Sequence, residues 1–256
     1  SHDVLVVDAP CISTVVDGFS FVKPNDLYTA CDGTIYVTDQ FGIWKYSRNS
    51  IDGLPEIVVR TPYYDDKDGI LSVARFGEPK GIVLDESTLN ELYFADFGDH
   101  VIRKISFDKQ SVTTISGKFI LPTNNPNNLN TKDQLANGRF ASPSGLAIHP
   151  NADTIYVSDE TNNNIKAFTF KGPKQEIRLI VGNNSGTNLP GKGKSVDVKP
   201  RRIAADSSGL SFTDDDVFIG RYNFSSDSVN AITQFRKGYV DGPPGLYKME
   251  IEIGGV

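Results

Sequence analysis

Histidine, cysteine, methionine and tryptophan are all scarce in this chain of 256 residues, and each scarcity closes off some chemistry. The three histidines are His2, His100 and His149, and no two stand at metal-ligand spacing, which argues against a zinc centre held by several histidines. Two cysteines, Cys11 and Cys31, are too few for a disulfide scaffold, so a packed core must supply the stability. No run of about 18 apolar residues occurs, so no segment reads as a membrane span. Positive charge is short as well: Lys and Arg number 26 against 32 Asp and Glu, a formal net charge of -6. Nucleic acid is therefore not an expected partner, because binding its phosphates needs a basic field. No segment keeps a 3.6-residue apolar period for three turns, which excludes a substantial helix. Neither a Gly-x-Ser-x-Gly elbow nor a phosphate loop is present. The only Met is Met249 and no leader peptide is visible, so the chain as given is expected to be processed, tagged or trimmed. Its compartment stays open. The sequons at Asn183 and Asn223 tilt the reading toward a secreted address, where both would be glycosylation candidates.

What the chain does hold is a repeat. Four short apolar runs end in Asp: Ile35 to Asp39, Leu92 to Asp96, Ile155 to Asp159 and Leu210 to Asp214. Ahead of each lies a second match built on Pro: Lys23-Pro24-Asn25-Asp26-Leu27, Glu78-Pro79-Lys80-Gly81-Ile82, Ser142-Pro143-Ser144-Gly145-Leu146 and Lys199-Pro200-Arg201-Arg202-Ile203. Turn residues separate the two matches, as in Asn151-Ala152-Asp153. After the Asp come a polar loop, a third β-rich run such as Val101 to Ile105, and a fourth such as Ile177 to Val181. Each unit thus reads as four short antiparallel strands rich in Val, Ile, Tyr and Phe. Units of this length that cannot bury both faces alone form a β-propeller by packing around an axis.

One stretch carries a family pattern. It runs Asp68-Gly69, then Ala74-Arg75-Phe76-Gly77-Glu78-Pro79-Lys80-Gly81-Ile82, then Leu92-Tyr93-Phe94-Ala95-Asp96, His100-Val101-Ile102-Arg103-Lys104-Ile105 and Val112-Thr113-Thr114-Ile115-Ser116-Gly117. This resembles an NHL repeat. The unit from Leu135 to Gly182 resembles one nearly as well, while those around 20–61 and 186–238 are degenerate. The expected fold is all-β: one propeller domain over 1–256 with four-stranded blades at roughly 20–61, 62–118, 119–185 and 186–238. The resemblance implies six blades, or sometimes five. The spacing favours five, the last built from 239–256 plus 1–10, so that N- and C-terminal strands pair to close the ring. The alternatives are an incomplete six-bladed ring and a second chain that completes it. In this register Cys11 follows a fourth strand and Cys31 a first strand, at opposite ends of their blades, so the two are expected to be unbonded.

Candidate site residues follow from the same frame. The repeated Asp39, Asp96, Asp159 and Asp214 could ring the axis as weak candidates for calcium. Their recurrence in every unit favours a structural part, each capping the turn after its strand. Asp65-Asp66-Lys67-Asp68-Gly69 has the look of a calcium loop but lacks the remaining ligands. The residues after each Pro differ between units and should rim the channel: Asp26, Lys80, Arg201 and Arg202 stand out. Arg201 and Arg202, with Lys80, would form a cationic spot on an acidic protein, suited to a carboxylate or phosphate, unless nearby Asp26 or Asp206 neutralises it. Phe41 and Phe97, in the loops after the second strands, would expose aromatic surface beside them. His100 matches a common residue of the NHL pattern and reads as structural. The Asn-rich stretch Leu121 to Asp133 is a long loop of the kind that is often functional. The reading that results is a non-catalytic binding or scaffold module for a protein or small anionic ligand, with no cofactor required. The alternative is a metal-dependent hydrolase or lyase with its site in the channel, since some propellers resembling this family are enzymes.

Overall fold

The computed structural model describes residues 21–47, 53–61, 65–117, 133–134, 139–171, 175–182, 191–214, 218–234 and 252–253. Among them helical structure is confined to a 3-10 turn at Gly193–Ser195 and the 3-10 residue Gly53; every other element is a strand. Four antiparallel sheets form the blades of a β-propeller. Blade 1 runs Pro24–Thr29, Ile35–Asp39, Gly42–Tyr46 and Glu56–Arg60. Blade 2 runs Pro79–Leu84, Glu91–Asp96, Val101–Ser106 and Ser111–Gly117. Blade 3 runs Pro143–Ile148, Thr154–Asp159, Asn164–Thr169 and Glu176–Val181. Blade 4 runs Pro200–Ala205, Gly209–Asp214, Phe218–Asn223 and Ser228–Gln234. Two-residue strands extend the outer edges of blades 2, 3 and 4 at Gly69–Ile70, Asp133–Gln134 and Gly191–Lys192.

The first strands of successive blades touch, so they are the inner strands and line the axis. The fifth blade read from 239–256 and 1–10 lies outside the described residues, except for Glu252–Ile253, which pair with Gln234 and Thr233 of blade 4. Cys31 is a free, exposed thiol; Cys11 lies outside the described residues, as do Asn183 and most of the Asn-rich stretch.

In all four blades the repeated Pro pairs with the repeated Asp, and a bulge follows it on the inner strand. The bulge re-aims the next residues toward the channel mouth. Proline fits there because it begins a strand and need donate no ladder hydrogen bond. In blades 1 and 3 the hydroxyl of the residue before the Asp then locks the bulge, whereas blade 2 has Ala95 there. Thr38 Oγ1 accepts the Asp26 amide at 3.0 Å and donates to Lys80 O of blade 2 at 2.6 Å. Ser158 Oγ accepts the Gly145 amide at 2.7 Å and donates to Arg201 O of blade 4 at 2.6 Å. A single hydroxyl thereby holds its own inner strand and pins the next blade.

Among the described residues the core is three apolar seams. Tyr36, Ile43 and Val59 of blade 1 meet Ile82, Leu84 and Phe94 of blade 2. Val83, Tyr93 and Ile102 meet Leu146, Val157 and Phe168 of blade 3. Ala147, Tyr156 and Ile165 meet Leu210, Phe212 and Tyr222 of blade 4. Burial of such side chains contributes about 1.5–3 kcal/mol each, which is what holds neighbouring blades together. Close approach of the inner strands needs glycine at two places. A Cβ on Gly81 would lie 2.6 Å from Leu146 N, and one on Gly145 would lie 2.3 Å from Arg201 O.

Candidate functional site

The four repeated aspartates are built into this frame, and their main partners differ from those expected. Their oxygens hold the backbone that leads into the inner strand and, for Asp39 and Asp159, also Gln40 and Asn162 in the turn after their own strand. Asp39 takes the amides of Val22 and Lys23 at 3.0 and 2.8 Å, and also that of Gln40 at 2.5 Å. Asp96 takes Gly77 and Glu78, Asp159 takes Ala141, and Asp214 takes Lys199. The lead-in segment must turn sharply into Pro, and a fixed carboxylate satisfies amides that the sheet cannot reach. Among the described residues no three His, Cys, Asp or Glu side chains gather as a metal-holding group.

Blades 2 and 3 add a buried cation to the Asp. Arg103 donates to Asp96 at 2.8 Å, Asp99 at 2.8 Å, Asp68 at 2.9 Å and Asp66 at 2.5 Å, and its side chain is wholly buried. Lys166 sits 2.7 Å from Asp159 and donates to Arg139 O at 2.5 Å. Asp66 and Asp68, which resemble part of a calcium loop in sequence, thus ligate a guanidinium. Burial, and then the neighbouring Asp96 carboxylate, push Asp99 up to about 7. Sequence reasoning missed both cations. The signal was there: each follows its Asp by seven residues, at a strand position that faces inward.

The residues that break the repeat converge on one mouth of the channel. Lys80 is half-buried, with its ammonium 3.1 Å from the centroid of the Phe97 ring, a cation–π contact. Burial lowers its pKa against the pull of Glu160 and Glu78. Arg201 stands 3.5 Å from Glu160, with its side chain 47% exposed. Lys23 pairs with Glu78 at 2.9 Å. Arg202 pairs with Asp26 at 3.3 Å and donates to Asn25 O. Burial raises the Asp26 pKa, with Arg202 opposing. The expected cationic spot is therefore a ring of four cations interleaved with the three carboxylates of Asp26, Glu78 and Glu160. Asp206 takes no part; it binds Arg221 at 2.7 Å, which holds its pKa well below the usual carboxylate range.

Two expectations are corrected here. Phe41 and Phe97 are half-buried, not exposed aromatic surface, and Lys80 covers the face of Phe97. Arg202 reaches across the seam between blades 4 and 1 to take the Asn25 carbonyl, the equivalent of those that Thr38 and Ser158 pin in blades 2 and 4. Its long side chain spans a gap that the shorter hydroxyl of Thr213 does not. His100 has φ +61 and is half-buried, and burial lowers its pKa; its place is a tight turn after Asp99. Asn223 Oδ1 is engaged in a turn with Ser225 and Ser226. No helix among the described residues is long and apolar enough to cross a membrane.

No protein-family model matches the chain. It is 26% identical over 195 residues, 71% of its length, to NHL repeat-containing protein 2 of Bos taurus, and covers 26% of that protein. The human protein of the same name is 32% identical over 108 residues, 42% of this chain and 14% of that protein. The chain therefore spans about a quarter or less of the curated relatives it matches. Among solved structures, an auxiliary nutrient binding protein of Bacteroides thetaiotaomicron superposes with a TM-score of 0.59 at 14% identity, over 86% of this chain and 49% of that one. At that identity the likeness is one of fold.

Proposed function

The chain is an NHL-repeat β-propeller, and from that premise we propose that it is a binding module whose loop face engages a protein or an anionic ligand at the channel mouth. The observation that carries this reading is a division of labour. Residues common to the blades, the Pro, the Asp and most of the hydroxyls, are engaged in holding backbone. Those that vary, Asp26, Lys80, Arg201 and Arg202, gather at one opening. Arg201 is the residue best suited to a ligand. Its guanidinium is half-exposed and its contact with Glu160 is long. An exposed pair of that kind contributes about 0–1 kcal/mol, so a ligand carboxylate or phosphate displaces Glu160 at small cost. A guanidinium fork then binds either oxyanion through two parallel hydrogen bonds.

Calorimetric titration of the whole chain with citrate and with inorganic phosphate at low salt tests this. Saturable binding that weakens at least about tenfold in Arg201→Glu is expected, since roughly 1.4 kcal/mol is a modest loss for a charge-assisted pair. Equal affinity in the variant would remove Arg201 from the site. Metal analysis of the purified protein separates this reading from a propeller hydrolase or lyase, because stoichiometric calcium or zinc would favour the enzyme.

A further inference from the structure

The seam between blades 1 and 2 holds a cavity of about 400 Å³, lined on the blade 1 side by Ala30, Asp32, Thr34, Tyr36 and Lys45. The inner strand of blade 1 runs from Pro24 at the channel mouth to Thr29, so the turn that follows puts the cavity at the opposite end of the propeller. The matching positions in the next seam carry two acids. One backbone bond closes the turn after each inner strand, Ala30 N to Thr34 O in blade 1 and Asp85 N to Glu91 O in blade 2, which makes Ala30 equivalent to Asp85 and Thr34 to Glu91. Two residues on, Tyr36 pairs with Lys45 and Tyr93 with Lys104. In blade 2 Glu91 takes the Tyr93 hydroxyl at 2.6 Å and the Lys104 ammonium at 2.7 Å. Asp85 takes Lys171 of blade 3 at 2.5 Å. Blade 1 keeps the tyrosine and the lysine but replaces both acids with short side chains.

The result is a pair of donors without their acceptor. Tyr36 is 6% exposed, yet its hydroxyl makes no hydrogen bond among the described residues. Burial, with Asp32 and Glu86 adding to it, raises the Tyr36 pKa, so the hydroxyl stays protonated and able to donate. Lys45 forms no ion pair among the described residues, although Glu56 stands opposite it on the next strand and the Asp32 charge lies in its neighbourhood. Asp32 is turned into its own loop, where it takes the Thr34 amide at 2.8 Å. The wall from blade 2 is largely apolar. Leu84 is buried, Phe107 stacks on Tyr36 with ring centroids 5.9 Å apart, and Leu89 is 44% exposed. A buried donor left without a partner is unfavourable, and here it lines an open space.

We propose that this cavity binds a small organic carboxylate with an apolar body, whose carboxylate takes the place that Glu91 fills in blade 2, between Tyr36 and Lys45. The apolar body lies against Leu84, Leu89 and Phe107. The dimensions suit such a ligand, since small-molecule cavities run from about 300 to 1,000 Å³ and combine apolar walls with a few convergent polar groups. The charge on Lys45 and the phenolic donor together supply charge-assisted hydrogen bonds to a carboxylate. The site shares no residue with the channel mouth, so the two binding readings are tested separately.

Calorimetric titration of the whole chain with 4-phenylbutyrate, and with 4-phenylbutyramide as its uncharged counterpart, tests this. The acid should bind saturably and the amide at least about tenfold more weakly, as the loss of charge-assisted hydrogen bonds implies. Thr34→Glu supplies the acid that blade 2 carries at this position and should abolish binding of the acid. Tyr36→Phe removes only the unpartnered hydroxyl and should weaken binding several-fold. Absence of saturable binding, or equal affinity for the amide, would overturn the proposal. So would undiminished binding in Thr34→Glu, which would place the probe elsewhere on the molecule. Should Thr34→Glu fold poorly, Tyr36→Phe decides the matter, and an affinity equal to that of the parent overturns the assignment.

Discussion

Replacing Arg103 with Met removes the one cation facing four carboxylates, and the loss should be large. Arg103 and Asp96 are wholly buried and Asp99 nearly so, whereas Asp66 and Asp68 are partly exposed. Methionine fills much of the volume, so the cavity contribution is small and the electrostatic one dominates. Asp66 and Asp68 turn to water at little cost. Asp96 and Asp99 remain buried beside each other without compensation, and breaking a buried pair this way costs about 3–5 kcal/mol. For a domain this size each kcal/mol lowers the melting temperature by about 2–4 °C, so the melt should fall by roughly 6–20 °C. The penalty has a ceiling, because the carboxylates take up protons rather than stay charged. The loss measured by calorimetry should therefore be smaller at pH 6 than at pH 8. A loss under about 1 kcal/mol, or one that does not change with pH, would show that the cluster is not the electrostatic keystone of blade 2.

Two further tests follow from the same geometry. Asp99 has a folded pKa near 7, above the ordinary carboxylate value of about 4, so the folded state keeps a proton that the unfolded chain has released. Its contribution to stability is present below about pH 4 and is lost as pH rises to about 7. Asp99→Asn should gain relative to the parent over that window in urea titrations at stepped pH; parallel curves would refute the shared-proton picture. Ser158→Ala deprives the Gly145 amide of its acceptor and Arg201 O of a donor, and should cost about 1–3 kcal/mol in urea unfolding. Thr213→Val should cost less, because that hydroxyl accepts the Arg202 amide but pins no following blade among the described residues; equal losses would count against the pinning role.

Much of the architecture was legible because it is local. Each unit's two anchors, Pro and Asp, are 14 to 17 residues apart in sequence and pair directly in space. The alternation of Val, Ile, Tyr and Phe between them states which face is buried. The partners of the Asp carboxylates were not legible. They are amides 15 to 19 residues back along the chain, and an amide carries no side-chain signature. The same holds for the mouth. Lys80, Arg201 and Arg202 were found as departures from the repeat. What each faces depends on which blade comes next: Lys80 on Phe97 is within one blade, whereas Arg201 on Glu160 and Arg202 on Asp26 cross seams. Arg103 and Lys166 were passed over as ordinary alternation because a charge in a strand usually faces water.

The two degenerate blades both lack the buried cation of the strong ones. Where blades 2 and 3 place Arg103 and Lys166 opposite Phe94 and Val157, blade 1 places Trp44 opposite Val37 and blade 4 places Gly220 opposite Phe212. A cation there neutralises the buried Asp of its own blade. Blades 1 and 4 exchange that pair for apolar contact: Trp44 meets Phe21, and the Phe212 ring fills the space a Gly220 side chain would need. Among the described residues these two blades meet mainly through Arg202; on the blade 1 face Leu27 and Ile57 are exposed while Val37 and Trp44 are half-buried. A buried ion pair needs a dry, fully packed surround to repay its desolvation. In blade 4 the cation's position lies on the face packed against blade 3, where the Phe212 ring leaves no room for it, so its absence there is a matter of packing and not of water.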